Sequence, residues 1–221
     1  MRILTIASQK GGAGKTTLTA HVAVEAERAG AGPVAIVDTD PQGSLAAWWN
    51  TRQADTPLFA AVDMSQLTEQ LKRLDNQGMQ LVIIDTPPAL TSIIERTIHA
   101  AQMILIPSRP SPHDLRAVAT IVEMVEQTNT PFCFVLNGAT PRTTIAKDAV
   151  GALAAHGKVA PVTVHHRIDF ASSMIDGRTV GELEPQSRSA QEITQLWKYI
   201  DTEMRKYERR HRHGQTEGRT A

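Results

Sequence analysis

The feature that most constrains the fold is a glycine-rich loop between a short apolar segment and a helical pattern near residue 10. The segment Arg2–Ala7 is predicted to be a strand, and a helix is predicted over Lys15–Ala29. Glycines let successive backbone N–H groups turn towards one anion, and the start of a helix adds a partial positive charge. We therefore predict a phosphate-binding cradle, which reads Ser8-Gln9-Lys10-Gly11-Gly12-Ala13-Gly14-Lys15-Thr16-Thr17.

Two lysines in this loop have different predicted tasks. Lys15 is expected to reach the β- and γ-phosphates, and the Thr16 hydroxyl is expected to bind Mg²⁺. The general pattern G-x-x-x-x-G-K-[ST] would place glycine at position 9, where this chain has Gln9 followed by Lys10. Lys10 is poorly placed to reach its own loop's phosphates. We expect it to cross a subunit interface and stabilise the charge that develops on a partner's nucleotide.

Carboxylates follow two predicted strands at the point where each strand ends. Asp38 and Asp40 close the strand Val34–Asp38, and Asp85 closes the strand Leu81–Asp85. Ligands of open α/β sheets bind outside the carboxyl ends of the strands, so these side chains should meet there. Asp85 suits a Mg²⁺ shell. Asp38 and Asp40 lie on one face of an extended chain, so both can approach the metal and an attacking water.

Strand and helix patterns alternate along the chain, which predicts an α/β fold with a mostly parallel twisted sheet and helices on both faces. We expect a single domain over residues 1–207 and a polar, basic, disordered tail over 208–221. The predicted strands are Arg2–Ala7, Val34–Asp38, Leu81–Asp85, Met103–Pro107, Phe132–Asn137 and a weaker Val159–Val164. The predicted helices are Lys15–Ala29, Met64–Asn76, Ser92–Ala101, Pro112–Thr128, Thr144–His156 and one from Ser187 whose apolar stripe packs on the sheet.

Composition excludes some classes of protein. The 23 Lys and Arg residues equal the 23 Asp and Glu residues, so a uniformly basic coat for nucleic acid is absent, although a local basic patch is not excluded. The single cysteine, Cys133, excludes a disulfide framework and any four-thiolate metal site within one chain. The absence of a disulfide framework is compatible with a reducing cytoplasm.

Three motifs resemble the ParA/MinD family of deviant Walker-A ATPases, which are P-loop NTPases. These are the loop ending in Lys15-Thr16-Thr17, the segment Asp38–Ser44, and the segment Ile83–Pro88. Within that family the chain is most similar to the small plasmid-partition ParA proteins of the ParF type. The resemblance extends from Met1 to about Ile200, and it is supported by Pro107–Leu115 and Arg167–Ala171.

The resemblance implies a mechanism and a set of partners. It implies ATP and Mg²⁺ as cofactors and an ATP-sandwich homodimer in which Lys10 contacts the partner's nucleotide. It implies weak intrinsic ATP hydrolysis with Asp40 positioning the water, stimulated by a small centromere-binding adaptor, and non-specific DNA binding on the nucleoid in the bacterial cytoplasm. The implied nucleotide-binding set is Gly11, Gly12, Ala13, Gly14, Lys15, Thr16, Thr17 and Asn137, and the implied metal set is Thr16, Asp38 and Asp85.

Asn137 and the basic residues have alternative interpretations. Asn137 either reads the adenine edge, as the resemblance implies, or closes a strand in a turn. Phosphate-only DNA binding needs a cluster of lysines and arginines without a base-reading code, and most such residues are ordinary solvated charges. Arg167 matches a basic position in the family's DNA-binding region. The other candidates lie at the end of the last helix: Arg205, Lys206, Arg209 and Arg210.

Three other functions compete with DNA partition. A VirC1-like ATPase in conjugative DNA transfer is barely separable by sequence. A MinD-like membrane-associated ATPase needs an amphipathic helix at the C-terminus, but residues 208–221 contain no large apolar side chain, so no membrane partner is expected. A nitrogenase-reductase-like electron carrier needs two cysteines per subunit, which the single Cys133 excludes.

Overall fold

The computed structural model describes the backbone of residues 1–89 and 92–217, and side chains as far as Arg210. Seven strands form one sheet in the order β3-β2-β4-β1-β5-β6-β7, and neighbouring strands pair in parallel. The glycine-rich loop leaves the central strand at its carboxyl end, as predicted. The strands are β1 (Arg2–Ile6), β2 (Val34–Asp38), β3 (Leu58–Phe59), β4 (Leu81–Asp85), β5 (Met103–Ser108), β6 (Phe132–Ala139) and β7 (Val164–His165).

Helices cover both faces of the sheet, which confirms the predicted fold class. Helices α1, α2 and α9 pack on one face, and α3, α4, α5 and α6 pack on the other. The helices are α1 (Lys15–Arg28), α2 (Ser44–Thr51), α3 (Leu67–Asn76), α4 (Ser92–Ala100), α5 (Pro112–Glu126), α6 (Thr144–Ala154), α7 (Ile168–Ser173), α8 (Val180–Leu183) and α9 (Arg188–Glu217).

The central strands are apolar at successive positions because both of their faces are covered. In β4, Ile83 packs into the layer of α1 and α9, whereas Val82 and Ile84 pack into the opposite layer. Asp85 is the first polar residue after this apolar run and the last residue of β4, so it lies at the carboxyl end of the sheet. This end is the place where the site is built.

Helix α9 contains the apolar stripe expected from its sequence, and its residues Leu196, Trp197 and Ile200 are buried against the sheet. The helix does not end near residue 207, the predicted domain boundary, but continues to Glu217. Arginine, lysine, glutamate and glutamine favour helices, and no proline interrupts the segment. The expected tail is therefore helical over residues 208–217, and its last four residues lie outside the described part of the chain.

Four short elements and one strand differ from the sequence-based expectation. The predicted strand Val159–Val164 is reduced to a bridge between Val159 and Phe134 and the two residues of β7. Pro161 lacks the N–H that a sheet ladder needs. The sequence patterns gave no sign of α2, β3, α7 and α8, because one or two turns or two strand residues are too short to show a period. Within the described residues, every helix is too short or too polar to cross a bilayer.

Candidate nucleotide-binding site

The loop after β1 has the backbone geometry of an anion cradle. Gly12 and Gly14 adopt left-handed conformations, with φ of 74° and 91°, that side-chain-bearing residues rarely adopt. Gly14 directly precedes α1, and no side chain caps that helix start. The first N–H groups of a helix have no partner within the helix, so these donors are available to an anion.

Lys15 places a buried ammonium in the first turn of α1. Its Nζ donates to the carbonyl oxygen of Lys10 at 3.4 Å, across the loop. Burial lowers the pKa of Lys15, and the carboxylates of Asp85 and Asp40 partly oppose that shift. A desolvated cation enclosed by its own loop is stabilised by any anion that enters, which suits the phosphate role predicted for it.

Thr16 and Asp85 meet at the floor of the cradle. The Thr16 hydroxyl donates to Asp85 Oδ2 at 2.6 Å, whereas the buried Asp85 Oδ1 has no hydrogen-bond partner within the described residues. Burial raises the pKa of Asp85 to about 7. The nearby carboxylates of Asp38 and Asp40 raise it further, and the Thr16 hydrogen bond and Lys15 oppose the shift.

The donor set around Asp85 fits Mg²⁺. An unpartnered carboxylate oxygen beside a hydroxyl oxygen is a suitable pair of ligands for this hard cation. Across the described ranges, His, Cys, Asp and Glu side chains do not form a group of three that could hold a metal alone. Mg²⁺ commonly binds through one or two carboxylates plus substrate phosphates and waters, so the open set at Thr16 and Asp85 suits an ion that arrives with a nucleotide.

Asp38 organises the loop between β2 and α2. It lies opposite Asp85 in the parallel register of these strands. Its Oδ1 accepts from the N–H of Asp40 and its Oδ2 accepts from the N–H of Ala46, both at 3.0 Å. Asp38 therefore fixes the turn that carries Asp40 and the start of α2. Its direct contact with a metal stays a prediction.

Asp40 is half-buried beside the cradle, where its charge affects the pKa values of Lys15 and Asp85. Its Oδ1 accepts from the N–H of Gln42 at 3.0 Å. This hydrogen bond helps to fix the carboxylate beside the cradle, and its water-positioning role stays a prediction.

Asn137 turns towards the phosphate loop. Its Nδ2 donates to the carbonyl oxygen of Ala13 at 2.7 Å, and an added Cβ on Gly14 would collide with the same amide. Gly14 is therefore required both by its backbone angle and by this close approach. The structure gives Asn137 a task in holding the loop, and its contact with an adenine stays a prediction.

Sequence analysis did not identify three residues that contribute to the site. Thr39 Oγ1 donates to the carbonyl of Asp85 at 2.6 Å, and Thr86 Oγ1 donates to the carbonyl of Ile6 at 2.9 Å, so both tie neighbouring strand ends together. Arg109 is exposed, and its guanidinium lies within 4 Å of where a Cβ on Gly12 would be. Each of these three polar residues directly follows a buried strand, and that position could have identified them from the sequence.

Lys10 stands at the loop entrance with an exposed side chain. Its backbone is fixed, because its N–H donates to Ser8 Oγ at 3.3 Å and its carbonyl accepts from Lys15. Among the residues described, no carboxylate pairs with the Lys10 ammonium. Because its backbone is fixed and its ammonium is exposed, Lys10 can contact a second molecule.

The five candidate DNA-binding residues are not equivalent in the structure. Glu192 holds Arg167 through two hydrogen bonds of 2.6 and 2.8 Å and also accepts from His165. Asp201 pairs with Arg205, and Glu203 pairs with Lys206. The side chains of Arg209 and Arg210 are exposed, and neither forms an ion pair with a described residue. Of the five candidates, Arg209 and Arg210 are therefore the two whose charge is not paired with a described acid.

The candidate DNA-binding residues also lie far apart. Arg167 is held by Glu192 in the first turns of α9, whereas Arg209 and Arg210 follow much later on the same helix. At ~1.5 Å per residue, the two positions are separated by roughly 26 Å along the axis. The structure therefore does not bring Arg167 and the terminal cluster together in one protomer.

Residues 4–180, which contain this site, match the family model described as the CobQ/CobB/MinD/ParA nucleotide binding domain. The chain belongs to this family. It therefore carries a nucleotide-binding domain of the ParA/MinD ATPase type, and the family predicted from the three motifs is confirmed. The matched range contains the phosphate loop, both carboxylate segments and Asn137.

Individual relatives agree with the family. The chain is 31% identical over 203 residues to the maintenance of carboxysome distribution protein A of Halothiobacillus neapolitanus, covering 87% of this chain and 93% of that protein. It is 25% identical to the chromosome-partitioning ATPase Soj of Thermus thermophilus, covering 89% and 94%. The fold is similar to that of the septum site-determining protein MinD of Pyrococcus horikoshii complexed with Mg-ADP, with a TM-score of 0.76, 18% identity and coverage of 90% and 96%.

Proposed function

We propose that this protein is a DNA-partition ATPase that forms an ATP-sandwich dimer, binds DNA without sequence preference and hydrolyses ATP when a centromere-binding partner stimulates it. The observation that carries the proposal is Lys10. Its ammonium is exposed beside a nucleotide cradle, and it has no carboxylate partner within the described residues. A cation so placed can serve a nucleotide bound to a second subunit.

The chain's own residues divide the work of ATP hydrolysis. The loop N–H groups and Lys15 bind the phosphates. Thr16 and Asp85 would hold Mg²⁺, and the ion would supply positive charge to offset that of the phosphates. Asp40 orients the attacking water, and Lys10 of the second subunit stabilises the charge that develops as the phosphoryl group transfers. Asp38 acts by holding the Asp40 turn in place.

DNA binding is proposed to depend on dimer formation. The formal net charge is zero, so one protomer offers only a small basic patch such as Arg209 with Arg210. Two patches on one dimer bind the same duplex at high effective concentration. Because phosphate contacts carry no sequence information, such binding is insensitive to sequence.

The test measures DNA affinity with ATP, with ADP and without nucleotide over a salt series, using one duplex and a scrambled version of it. ATP should tighten binding, ADP should not, and scrambling should change little. Lys10→Ala should remove the ATP effect and leave ATP binding intact, whereas the control Lys72→Ala on α3 should change neither. Equal binding with ADP, or a sharp dependence on sequence, would reject the mechanism.

A second candidate function is the distribution of a protein compartment instead of a replicon. The observation that favours it is the 31% identity, over nearly the whole of both chains, to a maintenance of carboxysome distribution protein. Both functions use the same ATPase, so biochemistry on the purified chain does not separate them. Deleting the gene does, because loss of a partition ATPase raises the rate of replicon loss, whereas loss of a compartment distributor leaves that rate unchanged. If the ATPase instead serves conjugative transfer, the same deletion should lower the transfer frequency.

A further inference from the structure

A groove of about 710 Å³ lies between α3 and α4, on the face of the sheet opposite α1. Four apolar side chains lie on its floor: Ile3 of β1 and Met64 before α3 are half-buried, and Leu67 and Leu71 of α3 are buried. Arg96 of α4 bridges the groove at one point, where its Nη1 donates to the Met64 carbonyl at 2.8 Å. The nucleotide site uses none of these residues.

The rim of the groove presents unpaired positive charge. Lys72 on α3 and Arg96 on α4 are both exposed, and they form no ion pair with the residues described. Two acids on the rim are already neutralised, because Glu69 pairs with Arg73 at 2.5 Å and Asp75 pairs with the Met1 ammonium at 2.9 Å. The exposed Asp63 carboxylate lies close enough to Arg96 for the Arg96 charge to help lower the pKa of Asp63, so Lys72 is the rim cation with the least competition from acids of this chain. An occupant with carboxylates on its flanks therefore gains contacts here, and an occupant with flanking cations does not.

The shape of the groove selects the kind of occupant. Small ligands bind in pockets that enclose most of their surface, but both rims of this groove are exposed side chains. Helices α3 and α4 have 10 and 9 residues, so the walls extend for roughly 15 Å, or about three turns of a third helix. An apolar floor of this length suits side chains at positions i, i+3 or i+4, and i+7 of an amphipathic helix.

We propose that the α3–α4 groove docks an amphipathic helix of a partner protein, with an apolar face seated on Ile3, Leu67 and Leu71 and acidic residues paired with Lys72 and Arg96. The proposal goes beyond the ATPase function and does not depend on it. It assigns this chain a protein-docking surface on α3 and α4, with α4 beginning at Ser92, shortly after Asp85. A partner seated there holds the element that follows the metal-binding strand.

The test uses a fluorescein-labelled synthetic helix of about 14 residues with leucines at i, i+4, i+7 and i+11 and glutamates on both flanks, added to the full chain without nucleotide. Two matched peptides carry lysine in place of glutamate, or serine in place of leucine. Fluorescence anisotropy should give a Kd at least about tenfold tighter for the acidic apolar helix than for either matched peptide. Equal binding of the glutamate and lysine peptides, or no binding of any, would overturn the proposal.

Charge reversal then locates the binding surface. Lys72→Glu with Arg96→Glu should weaken the acidic helix at least about tenfold and strengthen the lysine helix. Lys72→Glu alone, at an exposed side chain that forms no ion pair with the described residues, should shift both affinities in the same directions by a smaller factor. The control Lys147→Glu with Arg188→Glu changes the charge equally outside the groove and should leave both affinities within about twofold.

Two further measurements separate loss of binding from misfolding and a partner helix from a second copy of this chain. Unchanged thermal unfolding of Lys72→Glu shows that its effect on affinity is local. Light scattering of wild type and variants identifies the occupant: a wild-type dimer that the groove variants dissociate would assign the groove to a second copy of this chain and reject the partner helix. Because the peptide assay contains no nucleotide, a chain that fails to bind ATP would refute the proposed ATPase and leave this docking result unaffected.

Discussion

The hydroxyl of Thr16 donates a 2.6 Å hydrogen bond to Asp85 Oδ2, and this bond joins the first turn of α1 to the end of β4. The second oxygen of the same carboxylate is buried and has no partner in the described part of the chain. Burial of a carboxylate without full hydrogen bonding is costly unless a cation compensates for it. The relationship between these two residues therefore gives the site a measurable dependence on pH and on metal.

Asp85→Asn should flatten the pH dependence of stability in the metal-free protein. The pKa of Asp85 is raised to about 7 in the folded chain, against roughly 3.9 when unfolded. Because the folded state binds the proton more tightly, the free energy of unfolding should fall as pH rises from about 4 to about 7 and then level off. The decline is on the order of 4 kcal/mol at most, and asparagine should remove it. Urea denaturation at several pH values checks this, and parallel curves for the two proteins would contradict it.

Lys15→Ala should weaken ATP binding by at least about 100-fold, because the loop loses its buried cation on the β- and γ-phosphates. The nucleotide-free variant should remain folded, since burial already disfavours the Lys15 ammonium. Isothermal titration calorimetry with ATP and Mg²⁺ measures the affinity, and thermal unfolding measures the fold. A folded variant with wild-type affinity would refute the assignment of the phosphate loop.

Asp40→Ala should separate ATP binding from ATP hydrolysis. The loop and Lys15 remain, so ATP should bind with near-wild-type affinity, but turnover should fall at least about 100-fold because the water is no longer oriented. We expect an ATP-bound dimer to accumulate, which size-exclusion chromatography with light scattering would detect. Asp63→Ala, at an exposed acid before α3, serves as the control. A monomer with normal turnover would contradict the role of Asp40.

Gly14→Ala should be strained for two reasons that can be measured separately. The φ of 91° costs a residue with a side chain roughly 1–3 kcal/mol, and the new Cβ collides with the Asn137 amide. Adding Asn137→Ala removes the collision but not the backbone strain, so the double variant should recover only part of the lost unfolding free energy. Urea denaturation of the four proteins gives the coupling between the two sites. Full recovery, or none, would contradict this division.

The sequence predicted the parts of this molecule that depend on local pattern. Buried parallel strands have continuous apolar runs, so the strand ends at Asp38 and Asp85 followed from the sequence, as did the glycine loop before Lys15. The hydrogen bonds of Thr39 and Arg52 could not be predicted in this way. Arg52 donates to Glu182, far away in sequence, and to the carbonyl of Gly177. Such contacts depend on how α2 docks against α8 and not on any periodicity.

Charge pairing could be predicted from the sequence only in part, because two of the pairs below follow helical spacing within α9 and the third joins different elements. The basic residues at the end of α9 formed one cluster by composition, but acids one turn earlier neutralise two of them, Asp201 at Arg205 and Glu203 at Lys206. Glu192 neutralises Arg167 from a different element altogether. Counting arginines therefore overestimated the charge available to a phosphate backbone.

Because Arg167 is paired and Arg209 and Arg210 are not, the two sites should contribute differently to DNA binding. Arg209→Gln with Arg210→Gln should weaken ATP-dependent DNA binding and reduce the slope of log affinity against log salt by about 0.9 for each phosphate that is no longer neutralised. Arg167→Gln should change that slope little, because its guanidinium is already paired with Glu192, and it should lower the free energy of unfolding instead. Both variants should retain wild-type ATP turnover without a partner, since neither lies in the phosphate loop. A folded Arg167→Gln variant that lowers the slope as much as the double variant would mean that the Glu192 pair opens on DNA, and Arg167 would then join the interface.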